Sequence, residues 1–422
     1  MISRFAVLCV IAVVTAYPLV AVSVLSHEEM IDVAWDPGIR PLLLTRFPNA
    51  TPEQLKRAHS FAYGGSVIQD LGYYPLGNHT FTNLLHYVRS GDFVMFLLRD
   101  ARDMNEYAFA LGALSHYAAD SWGHQAINIA EPILYPKIRR EYGNFVTYED
   151  DHREHLRTEF SFDVLEVAKH RYNSQQYHDF IGFDVSEDLL ERAFQDTYGF
   201  PMDNLLHYDD LTMETVRFAV AKVIPEMTEV ALATNKPKVH HERQDLAKKE
   251  FLFHLSRADY EKQFGNKYRR PGFFARILGF LIKLVPLGPA KILGYRNPTA
   301  KAEDDYFRSM DAAMDEYRRF LQQAGADQLQ LPNRNLDTGR LTHAGEYKLC
   351  DQSYAALVKE LAKDDFAHMT PGLKANILAF FSEGFPAQGS LNRHDWKKLN
   401  PALGRLRNWP ALAVTDPAPA AK

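Results

Sequence analysis

The sequence predicts an all-α protein in which several helices pack around one polar site. Three observations carry that prediction. Apolar residues recur at helical period over Glu53–Ile68, Asn83–Leu98, Asp103–Ile129, Leu156–Tyr172, Ser186–Tyr198 and Met213–Ala233. Proline and glycine punctuate these runs at Pro37-Gly38, Pro75 to Gly77, Gly143 and Pro201, while alternating strand patterns with hairpin turns are scarce. Finally, the segment HYAADSWGH, residues 116–124, places His116, Asp120 and His124 on one face of an otherwise apolar helix.

The N-terminal residues 1–23 read as a signal peptide or an N-terminal anchor. Arg4 precedes an apolar stretch from Phe5 to about Leu25, broken by Pro18, and Ala16, Ala21 and Ser23 offer small residues for cleavage. The run is near spanning length, which keeps the anchor reading open. Either way the protein is expected to be exported, periplasmic or extracellular, with membrane association one option. Cys9 lies in this run, so cleavage leaves Cys350 with no internal disulfide partner.

Residues 24–235 form the main helical domain, and a composition shift follows. Residues 236–300 hold 14 Lys/Arg and 5 Asp/Glu, a balance of +9 within a chain of net charge -5. In this segment Phe273, Phe274, Ile277, Leu278, Phe280 and Leu281 lie among basic residues. Residues 262–296 therefore suit a helix lying on a membrane surface, and equally a buried helix with basic ends. Pro286 and Pro289 make a spanning helix a poor fit. Residues 301–400 form a helical C-terminal region with helices over Asp304–Ala324, Gly345–Ala362 and Thr370–Glu383, and show no chemical motif. Residues 401–422, ending in a Pro- and Ala-rich stretch, are expected to be a disordered tail.

Bulk properties narrow the function. With 422 residues and 46% hydrophobic content, the chain can bury a large core, and its acidic balance gives no global signature of nucleic-acid binding. No Cys-x-x-Cys occurs, so a zinc site would have to use histidines and carboxylates, which suits catalysis better than a structural finger.

Such donors are present. Phe109, Leu111, Leu114, Ala118, Ala119 and Ile127 make the helix around His116 mostly apolar, so its polar face must meet something inside. His155 and Glu159 in HLRTE repeat the same four-residue spacing, with His152 as a competing ligand and Asp150 and Asp151 as capping or solvated residues. Asp70 sits in GGSVIQDLGYY among residues expected to be buried, and His86 in LLHYVRSGDF. His79, His178, His240 and His241 read as structural or surface residues.

The segment ALGALSHYAADSWGH together with HLRTEF resembles the zinc-dependent phospholipase C family, whose fold is shared by single-strand-specific zinc nucleases. That family has an early His, an Asp after an apolar stretch, a later His, then His-x-x-x-Asp with a further His, and a closing His-x-x-x-Glu. Here the ordered set is His27, Asp70, His86, His116, Asp120, His124, His155 and Glu159, within residues 26 to about 235. The resemblance implies two or three zinc ions. Asp70, His86, His116 and Asp120 would surround one, Asp120 would bridge to a second held by His27, and His124, His155 and Glu159 would make a third site. Asp70 is the catalytic candidate, better suited to orient a water than to act as base.

Two departures stand out. No tryptophan precedes His27, Trp35 lying after it, and Asp120 and His124 are only four residues apart. The aromatic residues that cradle choline in the family are not clearly matched, although Tyr63, Tyr73 and Tyr74 could supply other walls. The resemblance implies hydrolysis of a phosphate ester, foremost a phospholipid. Its rivals are a nuclease on the same fold, with nucleic acid as partner, and a non-catalytic, zinc-stabilised membrane-associated binding protein.

Overall fold

A computed structural model describes residues 24–74, 77–168, 182–206, 296–383 and 390–410. Residues 1–23, expected to be a signal peptide or an N-terminal anchor, the helix expected over Met213–Ala233 and nearly all of the basic segment 236–300 lie outside the described residues. The described chain is all-α, as predicted. Its thirteen α-helices are α1 (Val24–Ala34), α2 (Arg40–Arg46), α3 (Pro52–Ser66), α4 (His79–Tyr87), α5 (Ser90–Asp100), α6 (Met104–Leu134), α7 (Pro136–Tyr142), α8 (His152–Ala168), α9 (Glu187–Tyr198), α10 (Ala300–Gly325), α11 (Lys348–Leu361), α12 (Pro371–Phe380) and α13 (Arg393–Asn408). One antiparallel hairpin joins β1 (Arg334–Asn335) to β2 (Arg340–Leu341), pairing Arg334 with Leu341 and Asn335 with Arg340. Among the described residues, no helix is long and apolar enough to cross a membrane.

Helix α6 is the axis of the fold. Asp103 caps its start, accepting from the amides of Asn105 and Glu106. Most of its residues from Tyr107 to Leu134 are buried, because α3 and α10 cover two of its sides. Helix α3 opens with a capping box, in which the Thr51 hydroxyl accepts from the Gln54 amide and the Gln54 side chain accepts from the Thr51 amide. The two helices cross backbone to backbone. A Cβ at Gly65 would sit 1.9 Å from the Phe109 carbonyl oxygen, and one at Gly112 would sit 2.1 Å from that of Ala62. Glycine at both positions therefore sets how closely the two helices approach.

Two elements differ from expectation. The helix expected over Asn83–Leu98 is two helices, α4 and α5, broken at Val88 and Arg89. Arg89 takes a left-handed conformation, φ 53°, and its guanidinium is fixed by Asp92 and the Thr197 carbonyl. Those buried contacts outweigh the continuous apolar period that suggested one helix. Within the stretch 401–422 expected to be a disordered tail, residues 401–408 are helical, because α13 runs to Asn408 with Pro401 inside it, and residues 411–422 lie outside the described residues. Leu399, Ala402, Leu403 and Leu406 recur at helical spacing and are buried, which overrides the proline.

The C-terminal region is built into the same core. Tyr306, Phe307, Leu336 and Leu357 belong to one continuous apolar cluster with Leu111 and Leu114. The Tyr317 hydroxyl donates to the Leu111 carbonyl at 2.9 Å, and Arg296 donates to the Leu134 carbonyl at 2.8 Å.

Candidate metal centre

All eight donor residues read from the sequence converge on the polar face of α6, and each is at most 7% exposed. His116, Asp120 and His124 come from α6, His27 from α1, His86 from α4, and His155 and Glu159 from α8. Asp70 comes from a short 3-10 turn, Ile68–Tyr73, that follows α3. Three groups have their donor atoms within 4.8 Å of one another: Asp70, His86 and His116; His27, His116 and Asp120; and His124, His155 and Glu159.

Asp120 sits between these groups. Its Oδ2 lies 3.0 Å from His116 Nε2 and 3.3 Å from His86 Nε2. Its Oδ1 lies 3.4 Å from His27 Nε2 and 3.9 Å from His124 Nε2. Asp70 Oδ1 faces His86 Nε2 at 3.3 Å. Glu159 Oε1 faces His124 Nε2 at 3.0 Å and His155 Nε2 at 3.3 Å. The His27 and His116 rings stack at 4.4 Å.

Four of the five imidazoles are steered from behind. His86 Nδ1 donates to the Thr82 carbonyl and His116 Nδ1 to the Ser66 carbonyl, each at 2.9 Å. The close crossing of α3 and α6 brings that Ser66 carbonyl within reach. His155 Nδ1 is 3.1 Å from Glu131 Oε2, and His124 Nδ1 is 3.4 Å from Asp337 Oδ1. A proton held on Nδ1 leaves Nε2 as a lone-pair donor, the tautomer that a metal requires.

Charge in the centre follows from burial and crowding. Burial and the neighbouring His116 lower His27 to about 4, leaving a neutral imidazole. Burial pulls His86 down, but Asp120 and Asp70 outweigh it and hold it up at about 10. Burial likewise opposes protonation of His155, yet Glu131 and Glu159 raise it to about 9. Burial alone would raise Asp120, and the surrounding histidines, His116 first, hold it well below the usual carboxylate range.

Five imidazoles and three carboxylates packed out of water need cations or protons between their lone pairs. The residues fit zinc on two counts. His116 Nε2, His155 Nε2, Asp120 Oδ2 and Glu159 Oε2 are buried with no hydrogen-bond partner. The facing donors lie 3.0–3.4 Å apart in the closest pairs. Tetrahedral ligands about 2.0–2.1 Å from an ion would be separated by about 3.3 Å.

Other residues take different roles. His152 is exposed, and its ring stacks on Tyr148 at 4.2 Å, outside the donor groups. Asp151 caps α8 through the Glu154 amide, and Asp150 accepts from the Thr147 amide. Of the expected aromatic walls, Tyr73 stands 6.3 Å from the His86 ring and 5.4 Å from Tyr148, which itself packs 5.6 Å from His155. Tyr63 is not a wall, because it is fully buried and donates to Asp32 at 2.6 Å. Tyr148 and Glu131 were missed in the sequence. Glu131 lies one helical turn plus three residues beyond His124 on α6, a spacing that offered a weak signal. Asp337, from the C-terminal region in which the sequence shows no chemical motif, also reaches the centre. It lies in the tight turn of the hairpin, where no periodicity ties it to His124.

A family model described as zinc dependent phospholipase C matches residues 26–205, under half of the chain. Comparison with curated proteins and with solved structures returned no match. The matched residues contain all eight donors, and the match supports a zinc-dependent phosphoesterase. Residues 26–205 thus form a domain of the zinc-dependent phospholipase C family.

Proposed function

We propose that this protein is an exported zinc-dependent phosphodiesterase that cleaves phospholipid on the glycerol side of the phosphate. The observation that carries the reading is the set of facing Nε2 and carboxylate atoms at 3.0–3.4 Å, with imidazoles anchored through Nδ1. Asp70, His86, His116 and Asp120 would hold one ion in this reading, Asp120 and His27 a second, and His124, His155 and Glu159 a third. When bound, zinc neutralises phosphate oxygens and acidifies water, so no serine or cysteine nucleophile is required.

The chain's own residues do the remaining work. Asp70 is fully buried on its short turn beside His86, suited to accept a hydrogen bond from the attacking water and aim it at phosphorus. Tyr73 and Tyr148 form an aromatic wall beside His86 and His155, able to flank an amphiphilic head group and limit water entry. Export rests on the charged and apolar pattern of residues 1–23, and N-terminal sequencing of the protein recovered from a cell envelope fraction tests it.

The decisive assay is metal analysis of the purified protein with hydrolysis of phosphatidylcholine vesicles and of single-stranded DNA in parallel. The expected result is bound zinc, release of phosphorylated head group, and loss of both zinc and turnover in His116→Ala. Hydrolysis of DNA without lipid would reassign the substrate. His116→Ala with wild-type turnover would remove the site, and zinc-dependent melting without any turnover would make the protein a binding module.

A further inference from the structure

We propose that Asp337, which lies outside the family domain, is a positioning residue for the third donor group. Its carboxylate holds the His124 imidazole by Nδ1 so that Nε2 is presented toward Glu159. The inference rests on the zinc reading above.

Asp337 is 2% exposed, and its two oxygens are used unequally. Oδ2 accepts from the hydroxyls of Tyr87 at 2.8 Å and Tyr347 at 2.5 Å. Those two donors fix the carboxylate and leave Oδ1 facing His124 Nδ1 at 3.4 Å. That separation is an ion pair rather than a full hydrogen bond, and Nδ1 is buried with no other partner. With Nε2 used as a ligand atom, the ring's remaining proton would sit on Nδ1 and Oδ1 would be its acceptor. An aspartate serving only the fold would be satisfied by its tyrosines. Here the spare oxygen faces a ligand-type ring.

The turn that carries Asp337 is locked to the helix that carries His124. The Asn128 side chain donates to the Asp337 carbonyl at 2.9 Å, and Gln125 donates to the Thr338 carbonyl at 3.1 Å. Gly339 has φ +67°, and a Cβ there would sit 2.2 Å from the Ser121 carbonyl oxygen. Only glycine lets the hairpin lie this close to α6. Ser121, Gln125 and Asn128 bracket His124 along α6, so the carboxylate is referenced to the helix on both sides of its target. The Leu336 amide also donates to the His86 carbonyl at 3.2 Å, which ties the same turn to α4.

The test is zinc titration of the stripped full-length protein against a chromophoric chelator, for wild type, Asp337→Asn and Tyr347→Phe. Asparagine keeps the size and an acceptor for the tyrosines but removes the anion. The expected result is one class of zinc bound 10–100-fold more weakly in Asp337→Asn. The other ions and the melting of the stripped protein stay as in wild type, and Tyr347→Phe, which removes one of the two donors that fix the carboxylate, weakens the same class of zinc to a smaller extent. Cobalt in place of zinc should show a changed visible absorption for that one class alone. Unchanged affinity for every ion in Asp337→Asn would overturn the proposal. So would a stripped variant that melts well below wild type, because the carboxylate would then be serving the fold. A wild-type protein that binds no zinc would overturn the reading of the whole centre, which separates the two failures.

Discussion

The two ends of the centre are built on different foundations. At the end around His86 and His116, the imidazoles lean on backbone carbonyls, those of Thr82 and Ser66. At the end around His124 and His155, they face carboxylates, Asp337 and Glu131. Carbonyl anchors are neutral, cannot be changed by substituting their own residues, and are placed by helix packing. Carboxylate anchors add negative charge behind the ring, make it a stronger donor, and come from side chains that mutation can remove. One end is thus a product of the fold, whereas the other depends on particular side chains.

The largest effect is expected at Asp120, whose oxygens face His86 and His116 on one side and His27 on the other. Asp120→Asn should lower kcat/KM by at least about 1,000-fold, beyond the 10–100-fold usual for an outer partner. Metal analysis should show loss of the ions assigned to Asp70, His86 and His116 and to His27, with the ion of His124, His155 and Glu159 retained, and retention of all ions would break the picture of Asp120 as a shared donor. Next comes Glu131→Gln, which should weaken only the ion at the His155 end, by about 10–100-fold in a chelator competition. An equal loss at the His116 end would erase the distinction between the two foundations.

Packing offers the converse probe. Gly112→Ala forces a Cβ against the Ala62 carbonyl oxygen and should cost about 1–3 kcal/mol in thermal or denaturant unfolding. Because the same crossing delivers the Ser66 carbonyl, zinc should weaken at the His116 end and hold at the His155 end. The smallest effect is a pH trend. In the stripped protein His86 is held up at about 10 and His155 at about 9. Their protonated forms favour folding, a contribution fully present below about 6.5, the unfolded imidazole value, and lost as pH rises through 9 to 10. Zinc must displace those protons, so the gain in Tm on adding zinc should widen from pH 6 to pH 9. A gain that narrows over that range would mean the imidazoles are not the groups displaced.

What the sequence made legible tracks what is periodic. His116, Asp120 and His124, and again His155 and Glu159, share helical faces, so spacing alone revealed them. His27, Asp70 and His86 carry no such period. They became readable only through the order of a family resemblance. Asp337 was beyond reach on either ground, because it lies in a two-strand turn outside the matched residues and meets His124 only through tertiary folding. The break at Arg89 was hidden for a related reason. Its cause is a buried contact to the Thr197 carbonyl, distant in sequence, while the local apolar period continues across it. Residues 401–408 erred in the opposite direction: the Pro- and Ala-rich end of the chain set the boundary, although Leu399, Ala402, Leu403 and Leu406 are buried at helical spacing.

The seating of the hairpin on α6 also has a consequence in time. A ribosome completes residues 26–205 well before it reaches Gly339. At roughly 5–20 residues per second the interval is on the order of ten seconds. During that interval the helices can collapse, since their contacts are largely local, but the contact of Leu336 with His86 has no second partner yet. The carboxylate behind His124 is therefore supplied last, after every donor within residues 26–205 has been made.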